Sequence, residues 1–313
     1  FGFFPSVGAS WYVSNEEFWK PYKETVSNLK IRATYGLVGN DAVGDPQDRF
    51  FYLSDVNMND ADRGSVFGTN NGYSRTGIFV NRYGNSNITW ETATKTNLGL
   101  ELGLFNQVNV QLDLYREHRR NILMTRAYIP LSLGVSSTSD IKANIGEAAA
   151  KGVDLSVDYN KYFGKNLWLQ ARANFTYATS EFKVYEEPDY KESYLSHKGQ
   201  PLTQQWGYVA ERLFADDDEV ANSPLQGFGE YGAGDIKYRD LNGDGQITSL
   251  DQMAIGYPTT PEIVYGFGFS VGYKAVDLSC FFQGLARESF WIDPNATAPF
   301  VPYRYSRDRK SVV

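Results

Sequence analysis

The sequence predicts an all-β chain of antiparallel strands, each with one apolar and one polar face. Three observations carry that expectation: strict two-residue alternation over eight to twelve residues at a time, tight turns joining the alternating runs, and a composition rich in the residues such strands use. The 313 residues are 42% hydrophobic and 15% aromatic, with 29 glycines. That mixture suits a pleated, half-apolar surface. Nowhere do roughly 18 apolar residues run consecutively, as a membrane-spanning helix requires. If the chain meets a membrane, it does so through strands.

The elements follow in order. Val7, Ala9, Trp11 and Val13 supply a first apolar stripe, and Leu29, Ile31, Ala33 and Tyr35 a second. The link between them, 14–28, is long for a turn, and a short helical or ordered piece is expected there. Leu98, Leu100, Leu102 and Leu104 alternate with Asn97, Gly99, Glu101 and Gly103; after Phe105, Asn106 and Gln107, the stripe Val108, Val110, Leu112 and Leu114 follows. This is a hairpin pattern. Val153, Leu155, Val157 and Tyr159 form the next stripe, and a turn over 160–166 leads to Leu167, Leu169, Ala171, Ala173 and Phe175. Phe267, Phe269, Val271 and Tyr273 turn at Lys274 and Ala275 into Val276, Leu278, Cys280 and Phe282.

Link lengths alternate too. Long polar stretches (39–89, 121–148 and 184–260, the last with a strand-like piece at 206–213) take turns with the tight connections. Bacterial outer-membrane barrels pair short periplasmic turns with long extracellular loops in this way. The expectation is therefore about eight antiparallel strands, part of a large transmembrane β-barrel with its long loops outside the cell. A soluble sandwich also alternates, but the polar stripes here carry charged and amide side chains as a wet lumen would. Phe105, Tyr159, Tyr162, Phe163, Trp168 and Tyr273 gather at the short-turn ends, where an aromatic girdle is expected.

A net charge of −7 and the lack of a basic face argue against nucleic acid as a partner. One cysteine, Cys280, excludes an internal disulfide and thiolate metal sites. The two histidines, His118 and His197, lie far apart in sequence, against a histidine metal site or a His-based triad. Arg116, Glu117, His118, Arg119 and Arg120 form a charge run at the extracellular end of a strand, which reads as a solvated rim or a contact for lipopolysaccharide phosphates. Asp216, Asp217, Asp218 and Glu219 read as an exposed acidic loop.

Explicit ligand chemistry occurs once. Residues 240–251 fit an EF-hand-type calcium loop: Asp240, Asn242 and Asp244 at positions one, three and five, Gly245 at the sharp turn, Gln246 offering its carbonyl, Thr248 at nine and Asp251 at twelve. Aspartate replaces the usual glutamate at the last position, which implies fewer ligand oxygens and weaker binding. The plain alternative is an Asp/Asn/Gly turn satisfied by its own backbone and water.

Several stretches resemble one family in its own order. They are Phe4-Pro5-Ser6 with Trp11 and Ser14 to Phe18, Leu29 to Gly36 with Gly39-Asn40, and the most distinctive, Trp90 to Gly99. Tyr115-Arg116 to Asn121-Ile122-Leu123, Asn144-Ile145-Gly146 with Lys151-Gly152, and Gly234-Asp235-Ile236-Lys237-Tyr238 continue the match to about Gly284. On these the chain resembles the TonB-dependent outer-membrane transporters of SusC/RagA type found in Bacteroidota. The resemblance implies TonB-energised uptake of oligosaccharides or peptides, not catalysis. It further implies a SusD-like surface lipoprotein as lid, outer-membrane lipid around the barrel, and a plug, a TonB-contact segment and further strands outside these residues. Residues 1–307 are then barrel with its loops, and Asp308 to Val313 match one reading frame of a common sequencing-adapter oligonucleotide. The rival expectation is a secreted all-β glycan-binding or glycan-active protein with a dockerin-like calcium loop.

Overall fold

A computed structural model describes residues 2–42, 50, 52–127, 129 and 141–292; the adapter-like 308–313 lies outside them. The chain runs through β1 (Ser6–Tyr12), β2 (Val26–Asn40), β3 (Asp55–Phe67), β4 (Tyr73–Arg82), β5 (Glu91–Leu104), β6 (Val108–Thr125), β7 (Lys142–Phe163) and β8 (Leu167–Val184). Six short strands follow: β9 (Gln205–Gly207), β10 (Ala210–Leu213), β11 (Leu225–Gln226), β12 (Ile236–Tyr238), β13 (Gln246–Ile247) and β14 (Met253–Ile255). Two longer ones, β15 (Ile263–Tyr273) and β16 (Val276–Ala286), end the described chain.

Eight of these make one sheet in the order β1-β2-β5-β6-β7-β8-β15-β16, an antiparallel meander in chain order that does not close. The expected stripes are its strands. Register keeps each apolar residue beside another: Ile31 pairs Leu100, Leu100 pairs Leu112, Leu112 pairs Leu155 and Leu155 pairs Phe175. The row below reads Leu29, Leu102, Val110, Val157 and Ala173. A one-residue slip would turn every such row to the other face, so the alternation fixes the register.

Chain reversals at one end are tight. Phe105 and Asn106 take positive φ (55° each) and the Gln107 N–H donates to the Leu104 carbonyl at 2.9 Å; Gly164 (φ 68°) and Lys274 (φ 57°) serve the other two hairpins. The longer link after β1 is ordered as expected, into 3₁₀ turns at Val13–Asn15 and Glu17–Tyr22. All the long links leave from the opposite strand ends.

Two readings need correction. The stretch after β2 is not merely polar loop: β3 and β4 form a hairpin there, hidden because three register shifts between Asp55 and Ser65 break the alternation. The girdle assignment fails for Tyr162 and Trp168, which pair with each other on the polar face, in the same parity as the Asp158–Arg172 pair. Phe163 and Tyr273 keep the apolar parity.

Hardly anything is buried. Among the described residues the buried apolar side chains are Val13, Ala93, Ala148, Phe214 and Ile247. Leu98 is 49% exposed, Phe267 50%, Leu278 61% and Val276 73%, all on the apolar face. Soluble monomers rarely show so continuous an apolar surface, because leaving it in water costs about 25 cal/mol per Å². The face is built for an apolar surrounding.

The described residues divide into two compact units. The first holds the sheet and the β3–β4 hairpin; the second is mainly 200–264, inserted between β8 and β15, and contains the short strands and a five-residue helix, α1 (Asp217–Ala221).

Candidate functional site

Two places concentrate polar chemistry: the polar face of the sheet in the first unit and the 240–251 loop in the second.

On the polar face, successive strands present Lys30 and Arg32 (β2), Glu101 (β5) and Asp113 (β6). Lys30 Nζ meets Glu101 Oε1 at 3.3 Å, and Arg32 Nε approaches the same oxygen at 3.4 Å. Arg32 Nη2 continues to Asp113 Oδ2 at 2.6 Å, crossing β5 to reach the next strand but one. Gly99 makes that crossing possible. A Cβ there would lie 2.5 Å from Arg32 Nε and 2.9 Å from Asp113 Oδ1. Further along, Glu117 joins Lys95 (3.2 Å) and Arg119 (2.9 Å), and Arg172 joins Asp158 (2.6 Å). The Tyr115 ring lies over Gly152, where an added Cβ would collide with the phenol oxygen. The result is a charged, hydrogen-bonded wall with alternating sign, suited to polar solute or polar protein surface. The sequence reading took these positions as generic lumen and missed the bridge; Lys30 and Arg32 two residues apart, opposite Glu101, were its visible signal.

The charge run at 116–120 is split by the pleat. Glu117 and Arg119 stay on the polar face, whereas Arg116, His118 and Arg120 take the apolar parity; His118 Nε2 pairs with Glu147 Oε2 at 3.0 Å. His197 lies elsewhere, its Nδ1 2.9 Å from Glu187 Oε2 and its ring stacked on Tyr185. The two histidines share no site.

The second unit is held by side chains that stitch backbone. Glu219 accepts from the Ala215 N–H (3.0 Å) and from Lys237 (2.9 Å), and also pairs with Arg212. The Ala215 N–H, then Lys237 and Arg212, lower its pKa from 4.5 to about 2. Asp216 caps α1 by accepting the Glu219 N–H at 2.8 Å, so the acidic run 216–219 is local architecture. Buried Gln226 donates to the Ile236 carbonyl (3.0 Å) and accepts from the Tyr238 N–H (2.8 Å). The Gly234–Tyr238 motif is therefore structural: it forms β12, which pairs with β10.

In the 240–251 loop, Gly243 (φ 76°) and Gly245 (φ 82°) bend the chain before β13, and a 3₁₀ turn at Ser249–Asp251 follows. Asp240 accepts the Gly243 N–H at 2.7 Å and the Gly245 N–H at 2.8 Å, and Asp244 accepts that of Gln246 at 2.8 Å. Asn242 donates its amide to Asp244 Oδ2 at 3.0 Å. Asp251 is fully buried; its Oδ1 accepts the Leu241 N–H (2.8 Å) and its Oδ2 that of Thr248 (2.8 Å). Burial opposes ionisation of Asp240, but the Gly245, Gly243 and Asp244 N–H groups, with the Asp251 side chain, hold its carboxyl below the usual range. Burial, then the charges of Glu192, Asp251, Asp240 and Asp244, push the Tyr194 phenol up. The loop thus carries a negative field. Against a ready cage, no three His, Cys, Asp or Glu side chains among the described residues stand together in metal-holding geometry. Asp251 closes the loop onto its own backbone.

With fold and wall described, comparison with known proteins decides the lineage. The family model for TonB dependent receptor-like β-barrels matches residues 1–284. The chain belongs to that family. TonB-dependent receptor P26 of Formosa agariphila is 28% identical over 296 residues, covering 90% of this chain and 28% of the relative. TonB-dependent receptor SusC of Bacteroides thetaiotaomicron is 24% identical over 290 residues, covering 89% and 27%. Among solved structures, the RagAB peptide importer in its open-open state superposes with a TM-score of 0.66 at 19% identity, over 91% of this chain and 28% of that one. As a TonB-dependent receptor barrel, the chain spans under a third of the length of these relatives.

Proposed function

We propose that this chain is the eight-strand wall of a TonB-energised outer-membrane importer of oligosaccharides or peptides, working with a SusD-like lipoprotein. Residues 1–307 are read as barrel and loops, with 308–313 outside it. The observation that carries the proposal is the contrast between the two faces of one sheet. Exposed Leu98 and half-buried Leu100 and Leu102 lie in one apolar row, while Gly99 and Glu101 between them belong to a salt-bridged polar wall. Such a sheet separates lipid from a wet interior. Its role is passage, and the polar wall is conduit, not catalyst. The energised step belongs to parts of the parent protein outside these residues. A secreted glycan-active protein would bury the apolar row in its own core, and here none of Leu98, Leu100 and Leu102 is buried.

The test is made on the full-length protein in its native host. Deleting the gene is expected to abolish growth on one oligosaccharide or peptide mixture while growth on the monomers persists. Fractionation should recover the protein with the outer membrane; recovery in the soluble fraction would end this reading.

Calcium at 240–251 is part of the proposal, supported by the ligand-type spacing, the two left-handed glycines and the negative field. Asp240, Asn242, Asp244, Gln246, Thr248 and Asp251 would hold the ion, and it would stiffen the loop. Calorimetric calcium titration of the full-length protein should show binding that Asp240→Ala and Asp244→Ala remove. Equal binding by the variants would leave a backbone-satisfied turn.

A further inference from the structure

We infer that the apolar face carries, at its long-loop edge, a binding site for the phosphate of an outer-leaflet glycolipid of the lipid A type, built from Arg116 and Lys151. The inference rests on the outer-membrane reading above. Register places Arg116 of β6 directly opposite Lys151 of β7, and both residues are exposed. Both take the parity of the apolar rows, immediately beyond Leu114 and its partner Val153. Like charges directly opposite across an antiparallel pair are destabilising, and neither residue makes a salt bridge among the described residues.

The carboxylates around them are engaged elsewhere or face away. Glu117 lies on the polar face with Lys95 and Arg119. On the apolar parity, Glu147 pairs with His118 and Glu181 with Lys183. Two adjacent cations thus point out of the sheet without a counter-ion. Their row continues on both sides with hydroxyls: Tyr35 pairs Thr96, Thr96 pairs Arg116, and Lys151 pairs Thr179. Arg and Lys flanked by hydroxyls make a donor set for phosphate oxygens.

Their height in the membrane selects the leaflet. Lys151 and Lys161 share one face of β7, ten residues apart, and at about 3.3 Å per residue with a strand tilt near 40° they are separated by about 25 Å along the membrane normal. That is the apolar band of an outer-membrane barrel. Lys161 lies beside the short turn after Phe163, its ammonium over the Phe163 ring at 5.1 Å, so Lys151 and Arg116 mark the other edge of the band, on the side towards the long links. Between these edges the rows are Leu, Val, Ile, Phe, Trp, Tyr and Ala, with Cys280, a surface for acyl chains. Phosphate donors at the top of such a surface match a lipid whose phosphates cap its acyl chains.

The full-length protein, folded in detergent, can be titrated with bisphosphorylated lipid A, dephosphorylated lipid A or phosphatidylglycerol, and bound lipid counted by native mass spectrometry. Wild type should retain bisphosphorylated lipid A. The Arg116→Gln/Lys151→Gln variant should bind it about tenfold or more weakly, as should wild type the dephosphorylated form. Arg116→Lys/Lys151→Arg should restore binding, and Lys161→Gln should not change it. Resistance of each barrel to unheated SDS confirms folding, and a wild type absent from the outer membrane would count against the importer reading instead. Undiminished binding by the glutamine variant, indifference to the phosphates, or equally tight phosphatidylglycerol binding would each overturn the site.

Discussion

The sheet and the inserted segment between β8 and β15 solve the same problem in opposite ways. The sheet holds long strands by backbone pairing and leaves its apolar side chains uncovered: Leu112 sits in an unbroken apolar row while its neighbours Gln111 and Asp113 face the other way. The insert has strands of two to four residues and few apolar anchors, chiefly Phe214 and Ile247. It relies on buried or half-buried polar groups, Gln226, Asp251 and Glu219, that accept or donate to backbone. Position along a pleat decides what a residue does in the sheet; in the insert, individual hydrogen bonds do. The first arrangement should be sensitive to polarity on one face alone, the second to loss of single polar atoms.

The largest expected effect tests the two faces at adjacent positions. Leu112→Arg places a charge near the middle of the apolar band, and a cationic side chain there costs roughly 2–4 kcal/mol. Gln111→Arg, one residue earlier on the polar face, should cost less than about 1 kcal/mol. Urea unfolding of the full-length barrel in lipid vesicles reads both. Equal costs would mean that the face of Leu98, Leu112 and Leu155 is not against lipid.

A middle-sized effect belongs to the polar wall. Gly99→Ala puts a methyl where Arg32 now crosses, so either the Arg32–Asp113 bridge breaks or the strand shifts, at roughly 1–3 kcal/mol. If displacement of Arg32 is the cause, the same substitution in an Arg32→Gln background should cost less than half as much. Additive costs in that double-mutant cycle would show that Gly99 serves strand geometry instead of the bridge.

The same contrast explains what the sequence made legible. The sheet strands and the face each residue takes were readable from Val7 to Phe282 because a period of two leaves no other solution once one face is apolar. The β3–β4 hairpin was not, since its bulges around Asn57 and Asp60 destroy the period. Tyr162 and Trp168 were assigned by residue type when parity was the better guide. In the insert, the Asp240 to Asp251 spacing was readable as a motif. The backbone bonds of Asp251 were not, because the acceptance of the Leu241 and Thr248 N–H groups by its buried carboxylate depends on side-chain direction, which spacing does not encode. Gln226, sealed between Ile236 and Tyr238, carries no sequence signal at all.

The smallest expected effect lies in the insert and is read by acid. Glu219 is held ionised by the Ala215 N–H, Lys237 and Arg212, with its pKa lowered from 4.5 to about 2. A carboxylate whose folded value lies below its unfolded value stabilises the fold fully above the unfolded value, and that contribution is lost as pH falls towards the folded one. The window is therefore pH 4.5 down to about 2. Hydrogen exchange across 210–238 should quicken through that window while strands β5 to β7 remain protected. Glu219→Gln, which keeps the shape but not the charge, should exchange faster already at pH 6 and change less on acidification. If the wild-type insert and the glutamine variant respond to acid alike, Glu219 is not the hub that joins Arg212, α1 and Lys237 of β12, and the apolar contacts of Phe214 must hold that corner instead.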